Sequence, residues 1–245
     1  MATETPKAET AAPQLPMFYK SLALLNKAAH GDLRLRPAKS MSFAAKANSI
    51  VLAGSEFASA SHDYPIVFSG KGAEPTAFAV TGRKTGENMF VSKDGAWKKG
   101  AYVPAYVRRY PFMLVKSPDG TTYNMAIDPE SEMIHAKIGD PLFDGDQPSK
   151  ATERMLALSK SFIMDMERTA TIIRQLETLD LLDERQVEVT LANGAKSRIG
   201  GFRVVNESKL SALSDGDFLA MRKTGALPVV YMHLVSQQRW TAIRG

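Results

Sequence analysis

Between residues 150 and 182 the apolar side chains return every three or four positions: Met155, Leu158, Phe162, Met166, Ala170, Ile173, Leu176 and Leu179. That spacing keeps them on one helical face and predicts a long amphipathic helix from Lys150 to Leu182. Ser149 stands at the N-cap position, with Pro148 just outside. Ahead of this helix, from about Met17 to Asp144, the pattern changes to short apolar runs broken by Gly, Pro and Asp. Ser49–Leu52, Ile66–Phe68, Thr76–Thr81, Asn88–Val91, Phe112–Val115 and Thr122–Ile127 read as strands, the last two joined by the turn Ser117-Pro118-Asp119-Gly120. Ser55–Ser61 and Pro104–Tyr110 read as short helices.

Behind the long helix, Gln186–Leu191 and Ser197–Val205 flank Asn193-Gly194, the strongest hairpin signal in the chain. Glu207–Leu213 and Asp215–Thr224 read as helices, the second closed by Gly225. Val229–Leu234 reads as a buried strand, followed by a short terminal helix or turn carrying Trp240. Strands and helices do not alternate as they do around a parallel sheet, so the expected class is α+β: a β-rich front, one long amphipathic helix and a mixed tail. Residues 1–14, rich in Ala, Thr, Glu and Pro, read as a disordered arm. Residues 15–245 read as a single domain, with two lobes (15–147 and 148–245) as the alternative.

Composition narrows the chemistry. The 245 residues are 44% hydrophobic, enough for a core without a metal or disulfide staple. There is no cysteine, which excludes disulfides, thiolate nucleophiles and Cys-type metal sites. Net charge is +5, from 31 Lys and Arg against 26 Asp and Glu, but the cations are scattered and cluster only in pairs, unlike a nucleic-acid binder. Ala226–Val235, the most apolar window, is too short to span a bilayer. The N-terminus lacks the basic start and apolar run of a secretory signal, so a cytoplasmic location is expected.

Catalytic signatures are sparse. His30, His62, His135 and His233 are far apart in sequence, with no metal-ligand spacing, and no metal or cofactor is expected. Gly82-Arg83-Lys84-Thr85-Gly86 misses the phosphate-loop spacing and reads as a hairpin loop. Asp144-Gly145-Asp146 opens like a calcium loop, but its twelfth position is Met155. His233, inside an apolar run, reads as a core histidine. Glu56, His62, Asp63 and Asp128 stand as candidate acid–base groups.

The densest chemistry lies between Trp97 and Phe112. Tyr102, Tyr106 and Tyr110 are four apart, so a continuous helix would align them as one stripe. On such a helix Arg109 flanks the stripe beside Tyr102, in reach of Glu56, while Arg108 points away toward solvent or a partner. Arg109, Arg108, Tyr102, Tyr106, Tyr110, Trp97, Glu56, His62 and Tyr64 are the candidate ligand-binding residues, since Tyr and Arg dominate recognition surfaces.

These blocks resemble the SapC family of bacterial proteins. The similarity runs through Gly54-Ser55-Glu56-Phe57, Tyr64-Pro65-Ile66-Val67-Phe68, Glu87-Asn88-Met89-Phe90-Val91 and, most specifically, Tyr102 through Phe112. Leu142-Phe143-Asp144, Gly201-Phe202-Arg203-Val204 and the tail from Leu213 to Ser236 are similar as well. The resemblance implies an association with bacterial surface-layer loci and an accessory role beside a surface or uptake system, and it brings no catalytic residues. Together these readings favour a protein that binds a peptide, a protein or a small anionic ligand through the aromatic–Arg segment. An enzyme acting on a peptide or small metabolite, and a surface-layer component, are the alternatives.

Overall fold

Five antiparallel strands form the central sheet, in the order Leu182–Thr190, Lys196–Val205, Ile66–Ser69, Ala77–Val80, Ser49–Leu52. The computed structural model describes residues 15–191 and 193–244, so the arm expected over residues 1–14 lies outside them. Arg203 pairs with Phe68, Val67 with Phe78 and Ile50 with Ala79, which joins strands from both sides of the long helix in one ladder. One apolar cluster accordingly runs from Leu52, Phe57 and Phe68 to Ile173, Val204 and Trp240. The two halves of the chain share this core, and the fold is α+β.

The long helix spans Lys150–Thr178, and the Ser149 hydroxyl caps it by accepting from Thr152 N at 3.3 Å. Ala151, Phe162, Ile172, Ile173 and Leu176 are its buried apolar residues. It stops short of the expected Leu182 because Asp180 takes a left-handed φ of 52°, which Asp tolerates better than most residues. Leu181 N then bonds back to Leu176 O, and the chain leaves directly into the strand from Leu182.

A second sheet carries the hairpin Phe112–Lys116 and Tyr123–Ile127, turned at Gly120 (φ 71°), with Ala23–Leu24 added to its Tyr123–Ile127 edge. Phe112 and Ile127 pack there with Leu142, and Met155 of the long helix lies against them.

Two expectations fail for physical reasons. Asn88–Val91 is not a strand: the buried Asn88 amide accepts from Phe90 N (2.9 Å) and donates to Ala44 O (3.0 Å), so a side chain competes with the ladder. Only an isolated bridge from Val91 to Trp97 remains. Val229–Leu234 lies inside a helix, Ala226–Ser236. Pro228 sits in its first turn, where the missing N–H costs nothing, and an unbroken apolar run has no period to separate a buried helix from a buried strand. His233 is therefore a core histidine on a helix. It is fully buried, its Nε2 accepts from Val205 N at 3.1 Å, and its Nδ1 has no protein partner among the described residues.

Candidate functional site

The segment from Trp97 to Phe112 crosses the junction between the two sheets. Trp97 packs against both the central cluster and a second one built on Ala47, Ile50, Ala105, Tyr106, Val107 and Phe162. Pro104, at φ −56° and ψ 145°, is the N-cap of a single helical turn, Ala105–Arg108. The chain exits through a cis Tyr110–Pro111 peptide into the strand Phe112–Lys116.

One turn is too short to align three tyrosines. Tyr102 precedes the Pro104 cap and lies outside the helical turn, so it leaves the expected stripe. Tyr106 and Tyr110 do meet, through Phe18, whose ring centroid lies 5.5 Å and 6.4 Å from theirs. Phe43 lies 4.3 Å from Tyr110, Tyr19 5.2 Å from Tyr110 and Phe162 6.0 Å from Tyr106, which completes a ring cluster with Phe18 and Phe43 half-buried at its edge. Phe18 adopts a φ of 82°, a strained backbone that costs about 1–3 kcal/mol and is held by these ring contacts. Phe18, Tyr19 and Phe43 carry no signal in the sequence, and Phe162 reads there only as part of the helix's apolar stripe. They lie far from the segment and carry no shared spacing.

Glu56 ties the segment to the central sheet. It is buried, and its Oε1 accepts from Ala105 N (2.6 Å) and the Tyr102 hydroxyl (2.9 Å), while Oε2 accepts from Ala53 N (2.9 Å). Gly54 lets this corner approach the long helix: its N donates to Thr169 Oγ1 at 2.7 Å, and a Cβ there would stand 3.3 Å from the same oxygen. Tyr102 is pinned twice more, its N donating to Asp63 Oδ2 (2.8 Å) and its carbonyl accepting from the Tyr64 hydroxyl. Tyr64 is fully buried, 4.5 Å from the Phe90 ring, whereas His62 beside it is exposed.

The Arg pair splits in exposure as the helical reading expects, Arg108 outward and Arg109 inward, but the two differ from it in their neighbours. Arg109 does not reach Glu56, whose oxygens are taken by the donors just named. It is 5% exposed, and its guanidinium carbon lies 4.4 Å from the Tyr106 centroid and 4.8 Å from that of Phe162. Among the described residues no carboxylate pairs with it, and its Nε has no partner. Arg108 is exposed but folds back: its guanidinium lies 5.7 Å over the Tyr102 ring, NH2 donates to the Tyr102 hydroxyl (3.1 Å), and Nε donates to Val103 O (3.0 Å). It is Arg108, not Arg109, that stands beside Tyr102. Lys98 occupies a similar place 5.4 Å over Phe90, and Lys99 is exposed next to it.

Burial pushes the Tyr102 phenol up to about 12, with Glu56 adding to the rise and Arg108 opposing it. Burial likewise takes Tyr110 up to about 12 and raises Tyr19, Tyr64 and Tyr106. These hydroxyls are neutral donors near neutral pH. The Tyr110 hydroxyl donates a hydrogen bond to Asp128 Oδ2 (3.0 Å), a fully buried carboxylate that also accepts from Lys20 N (2.8 Å), the Ser21 hydroxyl (3.3 Å) and Glu130 N (3.1 Å). Glu56 and Asp128, both candidate acid–base groups, thus spend their oxygens on the protein's own donors and belong to separate networks. Among the described residues no group of three or more His, Asp or Glu is arranged to hold a metal, and no helix is long and apolar enough to cross a membrane.

No curated protein and no solved structure matches the chain. The family model described as SapC matches residues 25–243. That span takes in the central sheet, the long helix and the whole Trp97–Phe112 segment, and the chain belongs to the SapC family.

Proposed function

We propose that this chain is a binding or accessory protein, working in the cytoplasm beside a bacterial surface or uptake system. Its ligand is an acidic peptide or protein segment, or a small anion, taken on the outer side of the Trp97–Tyr110 segment. The observation that carries this reading is the state of Arg108. Its guanidinium is exposed, held by Val103 O, the Tyr102 hydroxyl and the Tyr102 ring, and matched by no carboxylate among the described residues. A cation fixed in this way loses little side-chain freedom when it captures an anion. Lys98 lies over Phe90 and Arg108 over Tyr102, and the buried Tyr64 links the two by its ring contact with Phe90 and its hydroxyl bond to Tyr102 O, so both cations stand on one buried support.

The test is a titration of the isotopically labelled protein with pentaglutamate and with inorganic phosphate, followed by amide chemical shifts. Shifts should concentrate at His62–Tyr64 and Trp97–Arg108, and Arg108→Glu should weaken the binding at least about tenfold. Millimolar probes that leave these amides unmoved, or a charge reversal without effect on affinity, would overturn the reading.

A further inference from the structure

Pairing along the strand Lys196–Val205 is uneven. On one side it is bonded to Leu182–Thr190 from Leu182↔Val205 to Thr190↔Lys196. On the other side only Phe202 and Arg203 pair, with Ser69 and Phe68. The cause is a bulge: Arg185 faces Phe202 and Val187 faces Ile199, so Gly200 and Gly201 together oppose Gln186. Gly201 takes a φ of 78°, the left-handed conformation such a bulge needs and glycine supplies freely. Bulged strands bend, and here the outer half of the hairpin leaves the sheet and comes down on the 82–87 loop, where Arg83 NH1 donates to Thr190 O at 3.1 Å.

The bend opens a notch of about 180 Å³ between hairpin and sheet, lined by Val67, Phe78 and Val80 on the sheet side and Ile199 and Phe202 on the hairpin side. Pockets for drug-sized ligands are larger, on the order of 300–1,000 Å³, so this one suits a single side chain. Beside it, Lys196–Gly201 has an edge that meets no other strand among the described residues. Strand-edge N–H and C=O groups are a template for another extended backbone, and a pocket at one position adds side-chain selectivity.

Charge selects the occupant. Lys196 and Arg198 are exposed on this strand; Lys196 is bonded to Glu188, which also stands opposite Arg198 in register without an ion-pair contact, so the three together keep one net positive charge. Lys71 is exposed just past the strand Ile66–Ser69. A second copy paired along this edge would set these cations against their own kind, whereas an acidic strand would be attracted. We propose that the free edge of Lys196–Gly201 binds an extended acidic peptide by strand addition, with one apolar side chain of the peptide seated in the Val67–Phe78–Ile199 notch. The site uses none of the residues around Arg108 and stands independently of that reading.

The probe is the hexapeptide acetyl-EVEFEV-amide, with two analogues N-methylated on alternate residues so that each blocks one edge of the peptide. Amide shifts should appear at Ser197–Gly201 and Phe78, away from Arg108. One methylated analogue should bind at least about tenfold more weakly and the other as well as the parent. Ile199→Glu and, from the opposite wall, Ser49→Phe should each remove binding in a variant that melts like the wild type. Absence of these shifts at millimolar peptide overturns the proposal. So does equal binding of both analogues, or concentration-dependent dimerisation that Ile199→Glu dissolves, since a second copy would then own the edge.

Discussion

Arg109 carries its charge into a space where aromatic rings flank it and, among the described residues, no carboxylate reaches it, while Arg108, one residue earlier, keeps its charge in water. Stacking on two rings offsets desolvation by up to about 2 kcal/mol per contact, so the buried guanidinium survives without an ion pair. His233 solves the same problem by staying neutral. Burial pushes its pKa down to about 3, against about 6.5 in an unfolded chain. Between those values the unfolded state takes a proton that the folded state refuses, so stability is full above pH 6.5 and is lost as pH falls toward 3. The expected slope is about 1.4 kcal/mol per pH unit, or about 2 kcal/mol between pH 6.5 and 5. Denaturant titrations at a series of pH values should show it, and His233→Gln, which keeps an acceptor for Val205 N, should flatten that window. Identical slopes in the two proteins would contradict the assignment.

At the scale of elements, the sheet and the long helix are locked by Arg203. It is 6% exposed, its Nε donates to Ser69 O at 2.7 Å and its NH2 to Glu177 Oε1 at 2.6 Å. Arg203→Ala would strand Glu177 and open the joint, with an expected loss of about 3 kcal/mol, the low end for a broken buried pair because Glu177 is 31% exposed. A change below about 1 kcal/mol in urea unfolding would show that the joint holds without it. What the sequence disclosed at this scale follows local chemistry. Ser149 and Gly225 marked helix ends where a side chain or a left-handed glycine does the capping, and Asn193-Gly194 marked its hairpin. The bulge at Gly200–Gly201 stayed hidden because two glycines in a strand do not say which neighbour stops pairing. That Arg108 faces out and Arg109 in was legible, but the rings each meets stayed hidden, because they depend on Pro104 cutting the helix to one turn and on Phe162 of the long helix. Glu56 and Tyr64 were legible as candidates, but their role as fixed supports comes from long-range hydrogen bonds that no spacing records.

Over the whole molecule, the halves on either side of the long helix meet in one sheet and one core, and the Trp97–Phe112 segment seals the junction with the second sheet. Its inner side is therefore scaffold, and its outer side, with Arg108, Tyr102 and Lys98, is the surface to which we assign the proposed ligand. The most direct test pairs two substitutions one residue apart: pentaglutamate affinity and thermal stability measured for Arg108→Glu and Arg109→Met. The account predicts that Arg108→Glu melts like the wild type and loses binding at least about tenfold, whereas Arg109→Met, an uncharged chain of similar reach between Tyr106 and Phe162, keeps the affinity and is no less stable. Loss of binding in Arg109→Met with affinity intact in Arg108→Glu would contradict it.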